Sequence, residues 1–390
     1  MPEINFFLAS TADPIGSGHP LWRHPLPENR EAGASTPSSS GVTYQDYFSA
    51  VSTFCLADDT RRLLAAASRR LERPVSLAEL SDISVFLVKH GAFYHPSRLR
   101  VDVAGRPLSF VLNVAASADG LASLPLEVQA LSRLNAQRPF GWLPEIYDHA
   151  TMTLPAGKPI AMFLGSWFDG YHEFHLTRSP GHDDDAIGVW DGATVPRQLT
   201  ADQTADLYRE ATMILTACYD PITTRQIFPW HHAAGDFVVN PSKNRPSVRL
   251  ITVRGLPPIT DLAPEAMDEA AILESLFVFF IHTSLRMRLD RLDGVGGVAW
   301  VPDACLIPMI EGFFQGLDLT ARLSGFPESF PAFFQDYFNQ CAKVDLLERA
   351  KRAAEPLFRQ ASEEWRMIQG RIDRHVTDIR RAVAEFVPLI

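Results

Sequence analysis

From Thr43 to about Glu72 apolar residues recur at helical spacing. The run DDTRRLLAAASRRLER sets leucines three or four apart and offers Asp58 or Asp59 as a cap. A second cap signal, Ser76-x-x-Glu79, follows. At Ile83 the period shortens. ISVFLVKHG is a short apolar run, and RLRVDVAGRPLSFVLNVAAS alternates on either side of Ala104-Gly105-Arg106-Pro107, which predicts a β-hairpin. LPLEVQALSRL returns to helical period with Leu124, Val128, Leu131 and Leu134 on one side. LPEIYDHATMTL and PIAMFLGSWF then predict another strand pair, joined at Pro155-Ala156-Gly157-Lys158.

Beyond Gly170 the pattern is mainly helical, through DQTADLYREATMILTACY, PEAMDEAAILESLFVFFIHTSLRMRL, ACLIPMIEGFFQGL and FPAFFQDYFNQCAKV. One strand-like island, HHAAGDFVVNP from His231 to Pro241, interrupts the helices and is expected to pair with SVRLITVRG. From Val344 onward Ile372, Val376, Ile379, Val383 and Phe386 mark terminal packing helices, with Pro356 and Gly370 breaking any sustained heptad.

Composition narrows the function classes. With 390 residues, 46% hydrophobic and 21% charged, the chain can bury a large core in two or three structural units. Its formal charge of -10 argues against nucleic acid as a partner. Cys55, Cys218, Cys305 and Cys341 form no C-x-x-C pair and read as buried free thiols. The N-terminus lacks the pattern of a secretory signal, and LFVFFI at Leu276 to Ile281 is far shorter than a membrane span. A cytoplasmic protein without a membrane partner is the expectation. Residues 11 to 41, rich in Pro, Ser and Gly, read as a tail or an extended wrap.

The order of hairpin, helix carrying Glu127, strand pair, linker and helices around a strand island resembles the protein-kinase-like fold. The likeness is greatest to its aminoglycoside phosphotransferase and choline kinase branch. Glu127 matches the helix glutamate of that branch, and SWFDGYHEF, with Trp167, resembles its hinge beside the adenine. HHAAGDF resembles its H-G-D motif, with Gly235 and Asp236 in place and His232 displaced by two alanines. The resemblance implies that Asp236 acts as base toward the attacking hydroxyl and that Asn240 assists in holding Mg²⁺. The Asp-to-Asn spacing is one residue short, which leaves Pro241 at the usual asparagine position.

Two other positions depart further. FVLNV puts Asn113 where the phosphate-binding lysine belongs, and VRLITVRG puts Thr252 where the metal-binding aspartate belongs. A neutral hydroxyl does not replace a carboxylate on a hard divalent cation.

Other constellations carry blander readings. His231 and His232 read as packed side chains rather than metal ligands. His172, Glu173, His175, His182 and the adjacent aspartates in YHEFHLTRSPGHDDD lack the H-E-x-x-H spacing of zinc hydrolases and read as a solvated loop beside the hinge. Gly294-Val-Gly296-Gly-Val-Ala299 fits a dinucleotide fingerprint as a string but reads as a loop between helices.

These readings predict an α+β, bilobal kinase-like chain. It comprises a tail over 1–42, a helical extension over 43–82, an N-lobe with a small antiparallel sheet over 83–170, a helical C-lobe over 171–343 and C-terminal helices over 344–390. The expected function is that of a degenerate phosphotransferase, a pseudoenzyme that binds a small molecule or nucleotide between the lobes. ATP with weak or no Mg²⁺ is the implied cofactor. Two alternatives stand beside it. One is an active phosphotransferase or nucleotidyl transferase using Asp236 as base, with Arg254 or Lys243 replacing the lysine. The other is an interaction protein whose cleft is vestigial.

Overall fold

The computed structural model of the chain describes residues 2–9, 11–27, 41–155, 157–178, 185–192, 195–232, 235–241 and 245–387. Its architecture is α+β with several small sheets. Two compact units are distinguished, Met1–Ala136 with Pro144–Asp169, and Gln137–Leu143 with Gly170–Ile390.

The first unit contains β1 (Glu3–Leu8), α1 (Tyr44–Leu71), β2 (Leu80–Leu87), β3 (His95–Val103), β4 (Arg106–Ala115), α2 (Ala118–Gln137), β5 (Ile146–Thr153) and β6 (Pro159–Ser166). The strands form one sheet in the order β1-β2-β3-β4-β6-β5. Strand β1 was not expected. Its apolar run INFFL pairs parallel to β2 from Glu3 opposite Asp82 to Leu8 opposite Leu87, so residues 3–8 are part of the sheet and not of a tail. Most of STPSSSG lies outside the described residues, as does Ala156 of the second turn.

Helix α1 begins where Thr43 and Asp46 form a reciprocal capping box. Asp58 and Asp59 do not cap it. They sit with Thr60 at a break in the helix, where all three have φ between 52° and 66°. Ser76 and Glu79 do form the expected box, on a single 3₁₀ turn. The β3–β4 hairpin turns on Ala104 and Gly105, both at positive φ (51° and 80°), the twist that a two-residue loop requires. Leu108, Phe110, Leu112 and Val114 of β4 join Tyr47, Phe48, Val51 and Phe54 of α1 in one buried cluster. The intervening Asn113 therefore lies on the opposite face of the sheet.

The second unit opens with a three-stranded sheet of β7 (Glu173–Arg178), β8 (Asp185–Trp190) and β9 (Arg197–Gln198). This corrects the solvated-loop expectation. Four consecutive residues of β7, Phe174, His175, Leu176 and Thr177, are buried, so both faces of the strand are covered, while His182, Asp183 and Asp184 lie outside the described residues. Helix α3 (Ala201–Ala217) follows, capped by Thr200 and Gln203. Then come the antiparallel strands β10 (Phe237–Asn240) and β11 (Ser247–Leu250), as HHAAGDFVVNP and SVRL predicted.

Helix α4 (Glu269–Met287) is the one described helix long and apolar enough to cross a membrane, and 72% of its most apolar window is buried inside the protein. It leads into the antiparallel hairpin of β12 (Leu289–Arg291) and β13 (Val298–Trp300). The GVGGVA string is thus the tip and second strand of a hairpin. It lies between α4 and the helix that follows, as expected, and does not run from a strand into a helix as a dinucleotide fingerprint does.

The remaining helices are α5 (Leu306–Ser324), α6 (Phe330–Gln340), α7 (Lys343–Ala354) and α8 (Glu363–Glu385). α5 lies close against α3, because a Cβ added at Gly312 would come within 2.1 Å of the Arg209 carbonyl oxygen. Phe313, Phe314, Phe330, Phe334 and Phe338 are buried, so the phenylalanine-rich runs are core, with Phe333 exposed. Gly370 does not interrupt α8. The burial of Ile368, Ile372, Val376, Ile379 and Val383 along one face outweighs a glycine cost of about 1 kcal/mol. Cys55, Cys218 and Cys305 are buried free thiols, and Cys341 is a half-buried one.

Candidate functional site

Asn113, Glu127 and Trp167 belong to the first unit; His232, Asp236, Asn240, Thr252 and Arg254 belong to the second. Within the first, Asn113 is buried in β4 between Pro96 and Phe163 of the flanking strands. Glu127 is fully buried in α2. Trp167, just past β6, has the Arg98 guanidinium 5.5 Å from its ring centroid, and Arg98 also donates to Asp169 at 2.8 Å.

In the second unit the loop before β10 is built around Asp236. Gly235 takes φ 72°, which turns the chain into the strand, and its N–H donates to the His232 carbonyl at 2.9 Å. The Asp236 carbonyl accepts from Ile251 N–H at 2.8 Å, extending the β10–β11 pairing by one bond. The Asp236 side chain is 2% exposed. Its Oδ1 accepts from Arg254 at 2.6 Å, and its Oδ2 from the other Arg254 nitrogen at 2.6 Å and from His231 N–H at 2.7 Å. A planar guanidinium fork on a carboxylate is a strong charge-assisted arrangement. Three of the four acceptor positions of the candidate base are thereby occupied.

Arg254 reaches Asp236 from an irregular segment, since β11 ends at Leu250 and not beyond Thr252. Thr252 and Arg254 therefore lie in a loop and not on a strand. Thr252 follows Ile251 and so stands next to Asp236 along the hairpin. Asn240 does not. It pairs with Ser247 at the far end of β10, and at about 3.3 Å per residue the extended strand carries it roughly 13 Å from Asp236. Lys243 lies outside the described residues.

His232 points away from this pair. Its ring stacks on Phe174 at 10° and meets Tyr208 edge-on, both with centroids 6.1 Å away. Its Nδ1 lies 3.8 Å from Asp290 Oδ2, while His175 Nδ1 lies 3.6 Å from Asp290 Oδ1. Glu173 Oε2 is 3.8 Å from the other side of the His175 ring. Burial opposes the charged form of His175, but Asp290 and Glu173 outweigh it and push its pKa up to about 9. Burial holds His232 below its ordinary value, and pushes His231 down to about 3 with the help of His232. Burial also opposes ionisation of Asp290, yet the two histidines and Leu176 N–H keep it below the usual carboxylate range.

This second cluster was missed in the sequence. The alternation in HEFHLTR would have revealed the strand, but nothing local ties His175 to an aspartate 115 positions on. Among the described residues no three His, Cys, Asp or Glu side chains are grouped so as to hold a metal ion.

No protein-family model matches this chain, and no curated protein is significantly similar to it.

Proposed function

We propose that the chain is a kinase-like protein of the small-molecule phosphotransferase type, in which phosphoryl transfer is lost and ligand binding is kept. The observation that carries this reading is the Arg254 fork on Asp236. A catalytic base must offer an oxygen to the substrate hydroxyl, and here each oxygen already accepts a charge-assisted bond from an arginine that never deprotonates.

The element orders give further support. In the first unit a hairpin, a helix bearing buried Glu127, a strand pair and a linker follow one another. In the second, a short hairpin follows Asp236 and helices come after it. Asn113 and Thr252 are neutral where the phosphate lysine and the metal carboxylate would stand, which removes two charges that such transfer depends on. The proposed ligand is a nucleotide or a comparable small molecule, and the protein is proposed to act in the cytoplasm.

Calorimetric titration with ATP, with and without Mg²⁺, tests this. The expected result is weak binding that Mg²⁺ does not strengthen. Tight Mg²⁺-dependent binding accompanied by turnover would overturn the loss of catalysis.

A further inference from the structure

Asp290 is fully buried, and its carboxylate gathers three separate chain segments. Oδ2 accepts from Leu176 N–H of β7 at 2.6 Å, and Oδ1 from its neighbour Arg291 N–H at 2.7 Å. The same carboxylate faces His175 of β7 and His232 of the loop that carries Asp236. Neither ring nitrogen of His232 has a hydrogen-bond partner of normal geometry, and the ring is 1% exposed. Gly294 makes room for the arrangement: a Cβ there would lie 2.7 Å from His175 Nε2.

We propose that Asp290 is a positioning residue that pins His232, and with it the approach to Gly235 and Asp236, together with His175 of β7, and that the pin holds only while His175 carries a proton. The inference goes beyond the phosphotransferase reading and does not require it.

A buried carboxylate without a cation is costly. Protonated His175 supplies one cation, and neutral His232 adds none. Protonating both rings would set two cations against the one fully buried carboxylate, since Glu173 reaches His175 alone and is part-exposed; protonating neither would leave Asp290 facing two neutral rings.

The other groups around the cluster do not supply the missing charge. From β7, Glu173 adds negative charge beside His175. From the loop, His231 is held neutral by burial. From α3, the Tyr208 hydroxyl is raised well above its ordinary value by burial and stays neutral. Arg288 is occupied by the Val301 carbonyl and Asp303, and Arg291 by Glu364. Buried Cys305 is pushed up to about 12 and remains a thiol.

His175 in the folded protein lies above its unfolded value of about 6.5, so its stabilisation is full below that value and is lost as pH rises through about 9. Asp290 is depressed, so its contribution is present above the unfolded carboxylate value and is lost on acidification through the folded one.

The test is histidine NMR on the full chain, joined to amide exchange at His231, Gly235 and Ile251, whose N–H groups hold the loop. The His175 signal is assigned by its absence in His175→Gln. In the wild type, His175 should titrate near 9. Exchange at the three amides, corrected for its intrinsic pH dependence, should rise over the same interval, approaching tenfold per pH unit. In Asp290→Asn the His175 midpoint should fall to the ordinary value or below, and the step in exchange should vanish. If that variant does not fold, His175→Gln decides, with pH-independent exchange expected from pH 7 to 10. An ordinary midpoint for wild-type His175, or the same step in exchange in His175→Gln, would overturn the proposal.

Discussion

Arg254 closes its two terminal guanidinium nitrogens onto the two oxygens of Asp236, each at 2.6 Å, in a site where the aspartate side chain is 2% exposed. The loop that most resembles a catalytic segment is thus held by an ion pair inside its own unit. Several consequences can be measured.

Removing one partner of this pair leaves a buried charge. Arg254→Ala should destabilise the protein by about 3 kcal/mol, the low end for breaking a buried pair because Arg254 itself is 19% exposed. Arg254→Lys should recover little, since a single ammonium does not reproduce the fork. Urea unfolding of both variants checks this. A lysine variant as stable as wild type would show that geometry contributes nothing.

Gly235 sits at φ 72°, and a Cβ there would lie 2.6 Å from the Glu173 carboxylate. Gly235→Ala should cost about 1–2 kcal/mol in backbone strain, with a further steric contribution. Adding Glu173→Ala should recover the steric part only. Thermal unfolding of the single and double variants separates the two, and full recovery in the double variant would argue against strain.

Acid should weaken the fold well above the carboxylate range. Burial pushes His95 and His282 down to about 4 and His231 and His375 down to about 3. Their unfolded values lie near 6.5, so the unfolded chain takes up protons first. Stability should therefore fall as pH drops from about 6.5 toward 3, by up to about 1.4 kcal/mol per pH unit for each histidine. Denaturant midpoints measured between pH 7 and 4 test the slope. His282→Gln should make it shallower, and an unchanged slope would mean that His282 is protonated in the native state.

The sequence was legible where period and turn chemistry agreed. The hairpin at Ala104-Gly105, α2, the pairing of FVVN with SVRL and helices α3 to α6 all follow from local pattern. Strand β1 was hidden because its pairing is with residues some 80 positions away, and the Pro- and Ser-rich stretch after it set the reading of the whole segment. β7 was read as a loop because its polar residues suggested solvent. Buried His175 meets Asp290 there, a pairing that no window of sequence contains. Asp236 and Arg254 were both singled out, but as base and phosphate cation. That they neutralise each other depends on the irregular turn after β11, which local pattern did not foretell.

The most direct measurement of the account is phosphoryl transfer from ATP with Mg²⁺, comparing wild type with Asp236→Asn on a panel of small hydroxyl and amine acceptors. Circular dichroism first establishes that the variant is folded. With Asp236 held by Arg254, the account predicts that neither protein transfers phosphate above background. Transfer by the wild type that Asp236→Asn abolishes would contradict it, because the aspartate would then be free to act as a base.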